Sequence, residues 1–338
     1  MIGRATNRLL AAPRVGPDEP GLQRAVDTLG GEIIRLRSRD GLRLAARWLP
    51  AETGPVAGDD GPAWQPDPYE AILLLHGWTG SIAPDLVALG PTLRRTAGVL
   101  GLDFRGHGGS DDAPTTFGLH ETDDVAGALT WLGERGIRRV AFIGSSMGGA
   151  VAIASIVVLG DGTLQQADLD PMAPAADIAA PRPRVVAVVA ESVAPDLRIP
   201  IANRIGLPLG GHLRRALAGR MFTLAGRRLG GDLRATEPGR IIGLVDPVPL
   251  LLIHGSADRT VRPADGRRLA KLAGPSTEHW EVPGADHGQA RRTAPAQWDE
   301  RVSRFVRLAF SRAREVVPII HTPGTPAPDP AALGLEGD

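Results

Sequence analysis

Residues 139–159 read RVAFIGSSMGGAVAIASIVVL, and this stretch decides the fold. The apolar run Arg139–Ile143 predicts a short buried strand, and Met147–Leu159 predicts a helix. Between them lies the pattern Gly-x-Ser-x-Gly, centred on Ser146. Glycines two residues before and after this serine let the backbone turn sharply from strand to helix, because they carry no Cβ that would clash. The stretch therefore predicts a strand-turn-helix unit that presents a serine hydroxyl.

Units of the same kind lie on both sides of this stretch. Further strands are predicted at Ala71–Leu75, Val99–Asp103, Val185–Ala190, Pro249–Ile253 and Glu278–Val282, and further helices at Ile82–Thr96, Glu121–Arg135, Pro263–Leu272 and Thr293–Arg314. An Asp40-Gly41 pair between two extended runs predicts a hairpin at the start. Alternating strands and helices indicate an α/β fold with a doubly wound, mostly parallel sheet of about eight strands.

One connection is too long for a simple crossover. About 54 residues, Val193–Asp246, separate two predicted strands, and they contain a run with helical spacing of apolar residues. We predict a small helical cap here, inserted before the strand Pro249–Ile253, which leads to Asp258. The chain is divided into an N-terminal lead-in at 1–31, a core at 32–192 and 247–314, a cap at 193–246, and a Pro-rich tail at 315–338 that we expect to be disordered.

Composition excludes several classes of function. The 338 residues hold 38 basic and 38 acidic side chains, so no overall charge favours nucleic acid as a partner. The absence of cysteine excludes disulfides, thiolate metal sites and a cysteine nucleophile. The longest uncharged apolar run, Ala150–Leu159, is half of the ~20 residues that a membrane span needs. We expect a cytoplasmic protein without a membrane segment, metal or cofactor; the oligomeric state stays open.

A serine hydroxyl needs a base to become a nucleophile. His287 follows the last predicted strand, at the edge of the sheet where ligands bind in such folds. Asp258 follows the preceding strand and is the predicted partner that orients the histidine. Glu191, at the end of an earlier strand, is the rival acid, whereas Asp286 is interpreted as a loop residue. Activity should fall on acidification, since the base must be neutral.

A reacting carbonyl also needs two backbone N–H donors that stabilise its oxyanion. We predict these donors at Met147, the residue after the nucleophile, and at Trp78, with Thr79 as the alternative. The two nearby histidines, His76 and His107, are interpreted as structural rather than as second bases.

Five motifs occur in register along the chain: Leu75–Gly80, Asp103–Ser110, Gly144–Gly148, Leu252–Asp258 and Gly284–Gly288. Together they resemble the α/β-hydrolase superfamily, in its esterase/lipase and serine-peptidase-like branch. The resemblance covers about residues 32–313 and implies a serine hydrolase acting on a small-molecule acyl substrate, with a carboxylic ester as the leading expectation. An aspartate nucleophile, as in dehalogenases of this fold, is excluded because the turn holds Ser146.

Other functions remain open at this point. An amide or peptide hydrolase is the runner-up, and a catalytically silent binding protein on the same scaffold is a third possibility. Exopeptidases of this fold would be expected to carry acidic cap residues that hold a substrate amine. Here the segment from Val193 to Arg240 has nine arginines against two aspartates and one glutamate. These arginines either form a solvated face or attract anionic substrates or a phosphate-rich surface.

Overall fold

The computed structural model describes residues 2–11, 20–56, 63–78, 80–160, 182–204 and 210–316. The alternative oxyanion donor Thr79 lies outside these residues. Residues 317–338, which belong to the tail predicted to be disordered, also lie outside them.

One sheet of eight strands runs through the described part of the chain, with strand order β1-β2-β4-β3-β5-β6-β7-β8. The strands are β1 Glu32–Arg37, β2 Arg43–Leu49, β3 Glu70–Leu75, β4 Gly98–Leu102, β5 Arg139–Ser145, β6 Arg184–Glu191, β7 Leu250–Gly255 and β8 Thr277–Val282. Strand β2 is antiparallel to both of its neighbours, β1 and β4, and the remaining pairs are parallel. The predicted hairpin and the mostly parallel sheet are both confirmed.

Helices lie on both faces of this sheet, and several of them pack directly on its strands. They are α1 Ile2–Leu10, α2 Pro20–Thr28, α3 Ile82–Leu93, α4 Glu121–Glu134, α5 Met147–Leu159, α6 Arg198–Arg204, α7 Gly211–Leu229, α8 Pro238–Ile241, α9 Pro263–Leu272, α10 Ala290–Thr293 and α11 Pro295–Val316. Helices α6, α7 and α8 lie between β6 and β7, where the helical cap was predicted. None of the described helices is both long and apolar enough to cross a membrane.

The core consists of two apolar layers, one on each face of the sheet. All six residues of β3 are buried, and they alternate between the layers: Leu73 and Leu75 belong to one cluster, Ile72 and Leu74 to the other. This alternation follows from the period of two in a strand, and it explains why the central strands are unbroken apolar runs. The parallel strands β3, β5, β6 and β7 therefore end at one edge of a rigid core.

Two features differ from the sequence prediction. Helix α1 was not predicted; it packs against α7, in the segment predicted to be the cap, through a buried side that includes Thr6, Leu9 and Leu10. The predicted C-terminal helix Thr293–Arg314 corresponds to α11 within two residues at each end, and its start shifts to Pro295 because a proline at the first helical position loses no hydrogen bond. A short helix that was not predicted, α10, precedes it. The division into lead-in, core, cap and tail stays a prediction.

Candidate active site

Ser146 occupies a strained turn between β5 and α5. Its backbone has φ 52° and ψ −112°, a region that residues with a side chain rarely adopt. The surrounding glycines are sterically required: a Cβ on Gly144 would lie 2.4 Å from the carbonyl carbon of Gly148, and one on Gly148 would lie 2.2 Å from the oxygen of Leu75. The Ser146 amide donates to the Glu191 carbonyl at 2.8 Å, which ties the turn to β6.

The structure brings the three predicted triad residues into one chain of hydrogen bonds. The His287 Nε2 atom lies 2.9 Å from Ser146 Oγ, and His287 Nδ1 lies 2.8 Å from Asp258 Oδ2. A carboxylate only accepts, so we assign the imidazole proton to Nδ1, which leaves Nε2 free to accept the serine proton. The Asp258 side chain is fully buried and that of His287 is 15% exposed, so a substrate can reach the imidazole.

Backbone amides fix the orientation of Asp258. Its Oδ1 atom accepts from the amides of Thr260 at 2.9 Å and Val261 at 2.8 Å, which leaves Oδ2 to accept from His287. The buried His254 approaches the same Oδ2 at 3.5 Å, but its Nε2 lies closer to the Val261 carbonyl, at 2.9 Å. We assign His254 the role of a donor to that carbonyl.

The imidazole ring is not hydrogen-bonded to the rival acid Glu191 or to the loop residue Asp286. Glu191 accepts the Ala290 amide at 2.9 Å, and burial raises the pKa of its carboxyl group. Asp286 accepts the backbone amides of His287 at 2.8 Å and Arg259 at 3.1 Å, and these bonds lower its pKa. Both carboxylates therefore hold the backbone of the loops around the site.

His76 and His107 occupy structural positions. The buried His76 ring bridges two strand ends: Nδ1 lies 2.7 Å from the Gly77 carbonyl, and Nε2 accepts the Phe104 amide at 3.1 Å. Burial lowers the pKa of His76 to about 4, so the ring is neutral at physiological pH. The His107 ring is completely buried, with Nδ1 2.9 Å from the Arg105 carbonyl.

The loop after β4 is bonded to several elements near the triad. Asp103 accepts the amide of Ile82, the first residue of α3, at 2.8 Å and the amide of Gly109 at 2.9 Å. The buried Arg105 binds Asp124 of α4 and Asp40 of the β1–β2 turn. This segment therefore holds helices and hairpin in place and contributes no group to the triad.

The two predicted oxyanion donors lie beside the serine. Met147 is the first residue of α5, so its N–H has no acceptor within the helix, and Trp78 lines the same cavity as Ser146. The loop before Trp78 approaches closely, since a Cβ built on Gly77 would lie 3.7 Å from Ser146 Cβ. The assignment of these residues as oxyanion donors stays a prediction.

A small apolar cavity opens at Ser146. Its volume is about 40 Å³, and it is lined by Trp78, Phe117, Ser146, Met147, Ala150, Ala194, Leu197, Pro200, Ile201 and Val261. Four lining residues, Ala194, Leu197, Pro200 and Ile201, come from the start of the segment predicted to be the cap. Sequence reasoning missed Phe117, because an isolated phenylalanine in a loop carries no periodicity or motif that marks it as part of a site.

Comparisons with known proteins agree with this architecture. The sequence profile of the alpha/beta hydrolase family matches residues 72–317. The uncharacterized protein YfhR from Escherichia coli O157:H7 is 26% identical over 265 residues, which cover 77% of this chain and 75% of YfhR. YfhR from Escherichia coli K12 is 25% identical, with the same coverage.

Solved structures share the fold at low sequence identity. The esterase Pf2001 from Pyrococcus furiosus superimposes with a TM-score of 0.57 at 21% identity, over 88% of this chain and 98% of that protein. A thermophilic esterase from Thermogutta terrifontis gives a TM-score of 0.52 at 16% identity, over 82% of this chain and 99% of its own.

Proposed function

The chain belongs to the alpha/beta hydrolase family, and we propose that it is a serine hydrolase that cleaves carboxylic esters through an acyl-enzyme on Ser146. The observation that carries this proposal is the pair of hydrogen bonds from Ser146 Oγ to His287 Nε2 at 2.9 Å and from His287 Nδ1 to Asp258 at 2.8 Å. In such an arrangement the imidazole can accept the serine proton while the carboxylate stabilises the resulting imidazolium.

The reaction proceeds in two halves. In the first, His287 takes the proton of Ser146 as Oγ attacks the ester carbonyl, and the amides of Met147 and Trp78 stabilise the oxyanion. The imidazolium then protonates the departing alcohol, which leaves an acyl group on Ser146. In the second half His287 deprotonates a water molecule, which releases the carboxylic acid and restores the serine.

The cap favours an ester over a peptide substrate. An exopeptidase would need a free carboxylate to bind the substrate amine. Of the three acidic side chains between Val193 and Arg240, two are paired with arginines, and the third, Asp232, accepts the Arg234 amide at 2.9 Å. Asp196 binds Arg198, and the buried Glu237 binds Arg240 at 3.2 Å. Cytoplasmic location belongs to the same proposal and rests on the sequence alone.

Covalent labelling with a fluorophosphonate tests the nucleophile. We expect the native protein to be labelled and to hydrolyse p-nitrophenyl acetate, and Ser146→Ala to lose both properties, because within the described residues Ser146 carries the hydroxyl that is hydrogen-bonded to His287. Ser145→Ala is the matched control, as it removes the adjacent hydroxyl and should remain labelled. Equal labelling of native protein and Ser146→Ala would remove Ser146 from its role, and a folded native protein that is never labelled would favour a silent scaffold.

A further inference from the structure

Phe117 is held in an unusual backbone conformation beside the candidate nucleophile. Its φ is 55°, although it is a bulky residue, and its flanking residues are clamped by the fully buried Glu121. The Thr116 amide and hydroxyl donate to the Glu121 carboxylate at 2.7 and 2.5 Å, and the Gly118 amide donates at 2.7 Å. Strained conformations of this kind persist only where the surroundings enforce them, and they cluster at functional sites.

This clamp places the Phe117 ring in the wall of the cavity at Ser146. The ring packs against that of Trp78, with 5.8 Å between centroids and an interplanar angle of 54°. Ile201 of cap helix α6 lines the same cavity, and both Phe117 and Ile201 are buried. Two separate elements, a strained loop and the predicted cap, therefore each contribute a bulky side chain to the wall of the cavity.

The cavity is small and apolar. Its volume of about 40 Å³ is well below the roughly 150 Å³ of an apolar cavity that accommodates benzene. With the reacting carbonyl carbon at the mouth beside Ser146 Oγ, there is room for one or two further carbons. Every lining residue other than Ser146 has an apolar side chain or, for Trp78, a mostly apolar one. A charged acyl group would lose its hydration there without compensation.

The cavity takes the acyl part of the substrate rather than the leaving group. His287 must reach the departing oxygen to protonate it, so the leaving group lies on the imidazole side of Ser146. The cavity wall includes Trp78 and Met147, where the oxyanion would be held, and does not include His287. The carbonyl substituent that remains on the serine therefore points into the cavity.

We propose that Phe117 and Ile201 restrict the enzyme to esters of short, uncharged acids, with acyl groups of two or three carbons. This inference rests on the proposed function, because it assumes an acyl-enzyme on Ser146. Phe117 acts as the specificity-determining residue, and Glu121 acts as the positioning residue that holds the strained turn.

The test is a chain-length profile. We would measure kcat/KM for p-nitrophenyl acetate, propionate, butyrate and hexanoate with the native protein, Phe117→Ala and Ile201→Ala. The native enzyme should lose at least about tenfold between propionate and hexanoate, the order expected for groups that do not fit an apolar pocket. Each variant should raise the hexanoate-to-acetate ratio by about tenfold or more. Phe305→Ala is the matched control: it truncates an equally buried phenylalanine on α11, away from the cavity, and should leave the ratio unchanged.

The outcomes separate the two proposals. Labelling at Ser146 together with native rates on hexanoate equal to those on acetate would overturn the acyl restriction and leave the serine hydrolase standing. An unchanged ratio in the variants, with cooperative thermal unfolding retained, would likewise overturn the restriction. Should Phe117→Ala fail to fold, the ratio of Ile201→Ala alone tests the acyl restriction, because Ile201 lies on a different element. Absence of both labelling and turnover would overturn the proposed function and the acyl restriction with it.

Discussion

At the scale of single residues, the two oxygens of Asp258 have different tasks. Two backbone amides hold Oδ1 at 2.9 and 2.8 Å, and Oδ2 accepts from His287 at 2.8 Å. Because Oδ2 can only accept, it keeps the histidine proton on Nδ1 and leaves Nε2 directed at Ser146. The imidazole tautomer thus depends on one buried carboxylate.

Asp258→Asn should therefore lower kcat for p-nitrophenyl acetate by about 10³- to 10⁴-fold with little change in KM, since an amide nitrogen facing His287 would favour the wrong tautomer. Glu191→Gln is the control, because its amide oxygen can still accept the Ala290 amide that the carboxylate now binds at 2.9 Å. We expect that variant to lose less than about tenfold. Steady-state kinetics of both variants decide, and equal losses would contradict the assignment of Asp258 as the acid.

The triad residues could be predicted from the sequence, whereas Phe117 and Glu121 could not, and the reason is physical. Ser146 is predictable because its turn imposes a glycine pattern, Asp258 because it follows the apolar run of β7, and His287 because it lies in a glycine-flanked loop after the last strand. Phe117 and Glu121 act together through a strained turn that is visible only once its hydrogen bonds are known. A turn that depends on local steric rules can thus be predicted from the sequence. A cavity wall formed by segments that are distant in the sequence cannot.

At the scale of elements, helix α5 packs so closely on β3 that its second residue must be glycine. A Cβ on Gly148 would lie 2.2 Å from the carbonyl oxygen of Leu75 and 2.7 Å from that of His76. These are backbone atoms, so the clash cannot be relieved by rotating a side chain. Gly211, the first residue of α7, has no atom within 4 Å of the same position. Both helices therefore have a glycine at their start, but only the glycine of α5 is closely packed.

Replacing each glycine with alanine should consequently give effects of opposite sign. Helix propensity alone favours alanine by about 1 kcal/mol, so Gly211→Ala should be neutral or slightly stabilising. Gly148→Ala should lower the free energy of unfolding by about 3 kcal/mol, because overpacking outweighs propensity. Chemical denaturation of both variants checks this, and a Gly148→Ala midpoint as high as that of the native protein would refute the close approach of α5 to β3.

Elements whose pattern reflects the buried sheet were predictable to within a few residues, and α5 and α9 match their predicted bounds. Helix α1 was missed because its pattern covers only nine residues, and its packing partner α7 lies about 200 residues away in the chain. The arginines on α7 are compatible both with a solvated face and with attraction of anionic substrates. Arg220 and Arg227 are exposed, and no ion pair joins them to a described residue. Attraction of anionic substrates stays a hypothesis.

At the scale of the whole molecule, the site depends on strand ends that converge at one edge of the sheet. The buried His76 ring joins two of these ends, since it bonds to Gly77 after β3 and to Phe104 after β4. Its surroundings include the His107 ring, with 5.1 Å between centroids, which disfavours protonation of His76, and Asp103, whose charge favours it. Burial outweighs both and keeps the ring neutral.

This buried histidine predicts a loss of stability in mild acid. Burial lowers the pKa of His76 to about 4 in the folded protein, whereas the unfolded chain protonates near ~6.5. Between these values the unfolded state binds more protons, so the free energy of unfolding is fully retained above about pH 6.5 and falls as the pH approaches 4. This one ring contributes about 3 kcal/mol to the free energy of unfolding at neutral pH.

His76→Gln keeps a donor and an acceptor but does not titrate, so it should unfold with a shallower pH dependence. Urea denaturation at pH 7, 5.5 and 4.5 measures the two slopes, and identical slopes would mean that His76 does not couple folding to pH.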